Sequence, residues 1–297
     1  MRLFGPSVVV FATLLVWLTP AALTSGQGQT VTAATVLAAA RDALGGDTRI
    51  GAVRTFIVNG RTRQVRGNNL VPIEFEIQVE VPDKYARRDE FPAQDAGPAT
   101  SGFNGDRLIQ IPPAPQPVAR AGGPPPATPA QQEAVLRARV GAVKQDFARL
   151  MLGLFASSYA SFPLTFDYVA QAEAPEGKAD VLDVKGPANF TARLFVNSQT
   201  HLPIMVSWRA QAPPARAGGP GPGRGGAAAP PPGPAPGAAP PAPVENRLYF
   251  ADYRDVDELK LPFRIRRAVG GETTEETTFD RFRINSRVDP RRFEVGN

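Results

Sequence analysis

The side chains able to do chemistry are few and poorly grouped. His201 is the only histidine, in Gln199-Thr200-His201-Leu202-Pro203, and nothing at useful spacing supplies the partners that a general base or metal ligand needs. It reads as a turn residue ahead of a strand. Asp252, Asp255, Asp257 and Glu258 miss the alternate-position pattern with a following glycine that a calcium loop requires, so they read as a solvated hairpin end. Glu272, Glu275 and Glu276 read the same way. No cysteine occurs, which excludes disulfides, thiolate metal sites and a cysteine nucleophile. There is no serine elbow and no phosphate loop. The expectation is a protein with no catalytic residue, no metal and no cofactor.

Two other groups remain. Arg264, Arg266, Arg281 and Arg283, with Arg267, Arg287, Arg291 and Arg292, make the C-terminal third basic. If those strands pair, several arginines share a face, which is either a solvated surface or a patch for anionic headgroups or an acidic envelope partner. The second group is apolar: Phe56, Phe75, Ile77, Val79, Phe166, Trp208 and Phe250 on expected strands, with Phe147, Leu150 and Leu154 on an expected helix. A packed core and an acyl-chain cavity have the same signature here, since burying a methylene yields roughly 0.8 kcal/mol and needs no polar apparatus.

The elements that position these groups are mainly strands. Thr32 caps a short helix carrying Val36, Leu37, Ala40 and Leu44, stopped by Gly45-Gly46. From Val53 the pattern turns to alternation, clearest where Ile73, Phe75, Ile77, Val79 and Val81 interleave with Glu74, Glu76, Gln78 and Glu80. Thr128, Pro129 and Gln131 form a capping box for the strongest helix, whose stripe runs through Leu136, Val140, Val143, Phe147, Leu150, Met151 and Leu154. Gly141 and Gly153 each weaken it by about 1 kcal/mol relative to alanine, which leaves room for a break or bend there. Strand-like runs joined by short turns follow, giving about ten strands and two helices: one curved antiparallel sheet with helices on its concave side.

The ends and insertions complete the plan. Arg2, the apolar run from Val8 to Leu18, and small residues through Gly26 have the order of a cleaved secretory signal, residues 1–26, cut between Ala22 and Gln29. The run is too short for a spanning helix, which needs roughly 20 apolar residues. Residues 30–297 then form a single domain interrupted by Pro/Gly/Ala-rich insertions at 112–126 and 212–244, which are expected to be disordered. A formal charge of +5 on an exported chain points to anionic membrane surfaces or envelope polymers and not to nucleic acid.

The stretch Thr191-Ala-Arg-Leu-Phe-Val-Asn-Ser-Gln-Thr-His-Leu-Pro203, the segment from Tyr249 to Asp257, Leu261-Pro-Phe263, Thr277-Thr-Phe-Asp280 and the tail from Asn285 to Phe293 together resemble the outer-membrane lipoprotein-sorting (LolA-like) superfamily. The resemblance implies an α+β, mainly β fold: an unclosed antiparallel half-barrel whose concave face is covered by helices. It further implies a monomeric periplasmic binding protein that carries a lipid or a lipoprotein's acyl chains. The alternative is an envelope regulator or sensor that acts by binding another protein and transports nothing. The proline-rich insertions are not part of the family core, and no residue matches a ligand-contacting motif.

Overall fold

The computed structural model describes residues 31–92, 97–113, 128–174, 177–211 and 242–294. The expected signal, the insertion from 114 onward and the insertion from 212 to 241 lie outside them. Pro243 and Val244, assigned above to the second insertion, instead open a strand, because Pro243 pairs with Gln211 and Val244 with Ala210.

Two helices come first, α1 (Ala33–Ala43) and the single turn α2 (Asp47–Gly51). Five strands follow: β1 (Thr55–Arg66), β2 (Asn69–Glu80), β3 (Lys84–Glu90), β4 (Ala99–Asn104) and β5 (Arg107–Ile111). Then come α3 (Pro129–Phe155), β6 (Thr165–Ala174), β7 (Gly177–Gly186), β8 (Phe190–Asn197) and β9 (Pro203–Gln211). The chain closes with β10 (Pro243–Val256), β11 (Leu259–Val269), β12 (Glu272–Ile284) and a 3-10 turn at Pro290–Phe293.

Twelve strands exceed the expected ten. The strand β4 carries too little alternation to be legible, and its Gly102 is required because a Cβ there would lie 2.0 Å from the Tyr85 carbonyl. The strands form one antiparallel sheet in the order β5-β4-β3-β2-β1-β12-β11-β10-β9-β8-β7-β6. Its two edges, β5 and β6, are successive strands in the chain, and α3 lies between them in sequence and crosses the concave face.

Alternation decides what that face carries. Phe56 and Val58 of β1 stand opposite Val79 and Ile77 of β2, and all four are buried in the main core. The C-terminal half of α3 fills the space above them. Phe56 meets Phe155 edge-on at 5.9 Å, while Phe147 packs on Tyr85 at 4.9 Å, Phe103 at 5.6 Å and Tyr159 at 4.9 Å. Such pairs add roughly 0.5–1.5 kcal/mol each beyond the area they bury. The capping box forms as expected, Thr128 accepting from the Gln131 amide.

The helix runs without a break through both glycines, because packing against the sheet outweighs their helix-propensity cost. One expectation for α3 fails. Leu136, assigned to the buried stripe, is 50% exposed beside Val135, since burial on this helix begins only at Val140. Gly153 has a separate reason to be glycine: a Cβ would sit 2.0 Å from the Phe250 ring, which is itself buried.

These two glycines therefore predict opposite outcomes in urea unfolding. Gly141→Ala, whose Cβ would meet nothing closer than 3.9 Å, raises stability by about 0.5–1 kcal/mol. Gly153→Ala lowers it by roughly 1–3 kcal/mol despite the same gain in propensity, because the Phe250 ring cannot retreat.

Candidate functional site

Where α3 crosses the sheet, the packing leaves a cavity of about 220 Å³. Its apolar wall comes from Ile77 of β2, Leu248 of β10, Ile265 of β11, Phe279 of β12 and Val143 and Leu150 of α3. Its polar wall comes from Arg87, Arg267, Glu275, Thr277 and Asp146. The polar groups are mostly satisfied by neighbours behind the wall. Arg87 donates to Asp89 at 2.7 Å and to Thr62 at 3.3 Å while lying over the Phe75 ring at 4.4 Å. The buried hydroxyls of Thr62 and Thr277 share a hydrogen bond of 2.9 Å, and Gln64 donates to Glu275 at 2.8 Å.

Helix α3 is tied down beside this cavity by charge and by hydroxyls. Arg149, buried between the Trp208 ring at 4.3 Å and the Phe190 ring at 5.2 Å, pairs with Asp146 at 2.8 Å. Arg267 of β11 approaches the same carboxylate at 3.6 Å, so one acid links helix and sheet. Burial lowers the Arg149 pKa from its ordinary value, against the pull of Asp146. The Tyr253 hydroxyl lies 2.6 Å from the Pro203 carbonyl and 3.2 Å from that of Gly153, and Tyr159 donates to the Lys144 carbonyl at 3.1 Å.

Of the apolar residues singled out by sequence, Ile77 and Leu150 line this cavity. Phe56, Phe75, Val79, Phe147, Leu154 and Trp208 are buried in the packed core, and Phe166 packs half-buried against it. Phe250 is buried too and forms part of the floor of a second hollow, about 860 Å³, on the opposite face of the sheet. The polar wall was not foreseen: Arg87, Asp146, Arg267 and Glu275 come from four elements, and no local spacing links them.

Arg264, Arg266, Arg281 and Arg283 all point away from α3, because Ile265, Phe279 and Phe282 occupy the inward positions of β11 and β12. Arg264 and Arg266 line the larger hollow; Arg281 and Arg283 stand opposite Asn59 and Ile57, beyond its lining. His201 is in a left-handed turn conformation, its amide donating to the Asn197 carbonyl, just ahead of β9. The acidic hairpin end is neutralised locally, Asp252 by Arg254, Asp255 by Lys260 and Glu258 by Arg49. Glu272, Glu275 and Glu276 lie in β12 itself.

The architecture is thus an unclosed antiparallel half-barrel with a helix across its concave face. No family model matches the sequence, and no curated protein matches it. Among solved structures, a LolA superfamily protein from Nitrosomonas europaea aligns over 89% of this chain and 98% of its own, with a TM-score of 0.51 and 11% identity. A domain described as an outer membrane lipoprotein-sorting protein from Vibrio parahaemolyticus aligns over 88% and 97%, at a TM-score of 0.45 and 9% identity. A DUF1329 family protein from Desulfovibrio piger aligns over 89% and 98%, at 0.43 and 8%. The fold is that of the LolA superfamily, as the sequence resemblance implied.

The hydroxyls around α3 make stability sensitive to alkali. Burial pushes Tyr85 up to about 12 and also raises Tyr159 and Tyr253, whereas an unfolded tyrosine titrates near 10. A folded pKa above the unfolded one means the unfolded chain loses the proton first. The stability these groups contribute is therefore complete below about pH 10 and falls above it, by up to ~1.4 kcal/mol per pH unit per tyrosine. Urea midpoints measured from pH 9 to 11.5 will drop steeply past 10, and Tyr159→Phe will flatten that slope.

Proposed function

We propose that the protein is a periplasmic carrier, exported by its N-terminal signal, that takes up a lipid or a lipoprotein's acyl chains on the concave face of the half-barrel and catalyses no reaction. The observation that carries this reading is the cavity beneath α3, apolar on one wall and charged at the other. At about 220 Å³ it is smaller than the roughly 300–1,000 Å³ of ordinary ligand sites. It enlarges if α3 lifts, and each methylene then buried against Ile77, Leu150, Leu248 and Ile265 contributes roughly 0.8 kcal/mol toward the cost of opening. The mixed charges of Arg87, Arg267, Asp146 and Glu275 suit a polar head left at the rim.

The regulatory reading has one observation in its favour: Val135 and Leu136 are exposed on the first turns of α3, a surface suited to a protein partner.

Native mass spectrometry of the protein recovered from its host's envelope tests the carrier. A stoichiometric bound lipid is expected, and Leu150→Glu, at a half-buried cavity wall, is expected to abolish it while leaving circular dichroism unchanged. A ligand-free mass, with no uptake of added phospholipid or lipopeptide, defeats the carrier and leaves the regulator.

A further inference from the structure

On the face of the sheet turned away from α3, strand register builds a row of side chains across six strands. Arg63 of β1 stands opposite Glu276 of β12, Glu276 opposite Arg266 of β11, and Arg266 opposite Tyr249 of β10. The row continues from Tyr249 to Met205 of β9 and from Met205 to Phe195 of β8. Beside it runs a shorter row, Arg61, Thr278, Arg264 and Ala251. The character of the surface changes along the row: charged through β1, β12 and β11, then apolar through β10, β9 and β8. With about 4.8 Å between strands, Arg63 and Phe195 are roughly 24 Å apart.

These residues line the hollow of about 860 Å³, within the range of ordinary ligand sites and several times the concave cavity. Five arginines and three glutamates line it, so its charge is positive. Three of the arginines are engaged. Arg61 pairs with Asp280 at 3.0 Å, Arg247 with Glu245 at 2.6 Å, and Arg266 lies over the Tyr249 ring at 4.2 Å. Arg63 and Arg264, both exposed, have no hydrogen-bond or ion-pair partner among the described residues. One strand, β12, and two residues of register separate them, about 12 Å, a span that two long guanidinium side chains can close around a single anionic group.

We propose that this outer hollow is a binding site for one molecule of an anionic amphiphile. Its phosphate or carboxylate head is held by Arg63 and Arg264, and its tail lies along Tyr249, Met205 and Phe195. Guanidinium groups bind such heads through paired, charge-assisted hydrogen bonds, and the half-buried Tyr249, Met205 and Phe195 supply apolar area that a free phosphate would not use. Because the sheet lies between them, this site and the concave cavity are independent.

The test is calorimetric titration with lysophosphatidylglycerol below its micelle concentration, against lysophosphatidylcholine of the same tail, inorganic phosphate, and phosphatidylglycerol vesicles. Saturable binding of lysophosphatidylglycerol is expected, one molecule per chain once Leu150→Glu has disabled the concave site, at least about tenfold tighter than that of lysophosphatidylcholine or phosphate. Arg63→Gln with Arg264→Gln is expected to weaken it by about tenfold or more, and Leu150→Glu to leave it unchanged. Binding lost in Leu150→Glu but kept in the arginine variant overturns the outer site while supporting the concave one. Equal affinity for both lysolipids, equal affinity for phosphate, or binding to vesicles alone each overturns it as well. Should the arginine variant misfold, the comparison of head groups on the unaltered protein still decides.

Discussion

The structure depends on an open seam. Among the described residues, strands β5 and β6 each keep one side unpaired, and a sheet of twelve strands with two bare edges invites pairing with other chains unless something covers them. Here the connection between the edges crosses the opening, because α3 lies between β5 and β6 in sequence and packs across the concave face, against β4, β5, β8, β9 and β11. Everything distinctive about the molecule follows from that solution: a sheet that need not close, a helix that must stay down, and a space between them.

What keeps the helix down is a mixture of strong and adjustable contacts. Phe147, Phe155 and Leu154 are buried with the aromatic groups of β1, β3 and β4, and Gly153 lets Phe250 reach the helix backbone. The contacts nearer the cavity are of another kind, a single carboxylate, Asp146, shared by Arg149 on the helix and Arg267 on the sheet. Asp146 is exposed, so solvent screens what either pair contributes to stability, although Arg149 itself is buried. The C-terminal turns of α3 are accordingly the anchored part. The N-terminal turns, exposed as far as Arg139, are where a modest rearrangement costs least.

Much of this was legible in the sequence where the signal is local. The Thr128, Pro129, Gln131 capping box marked the start of α3, and the alternation from Ile73 to Val81 marked both β2 and the face it buries. What was not legible is what register creates. The strand β4 hides because Gly102 and its polar neighbours carry no pattern. Arg87, Asp146, Arg267 and Glu275 meet only after four elements assemble. Core and cavity draw on the same residue types, so sequence could not say that Ile77 and Leu150 would border space while Phe56 and Val79 would not.

The strand order carries a consequence for how the chain comes together. Each half of the sheet, β1 through β5 and β6 through β12, is a simple meander in which every strand pairs with its sequence neighbour. Among the described residues, the one ladder that joins the halves is that of β1 with β12, where Phe56 faces Ile284 from the far end of the chain. Local meanders pay little loop-closure entropy, whereas that one ladder must close almost the whole chain. The centre of the finished sheet is therefore the last part that can form. Until the final strand arrives, β1 remains a bare edge, and the emerging polypeptide holds one complete meander, one incomplete, and no half-barrel.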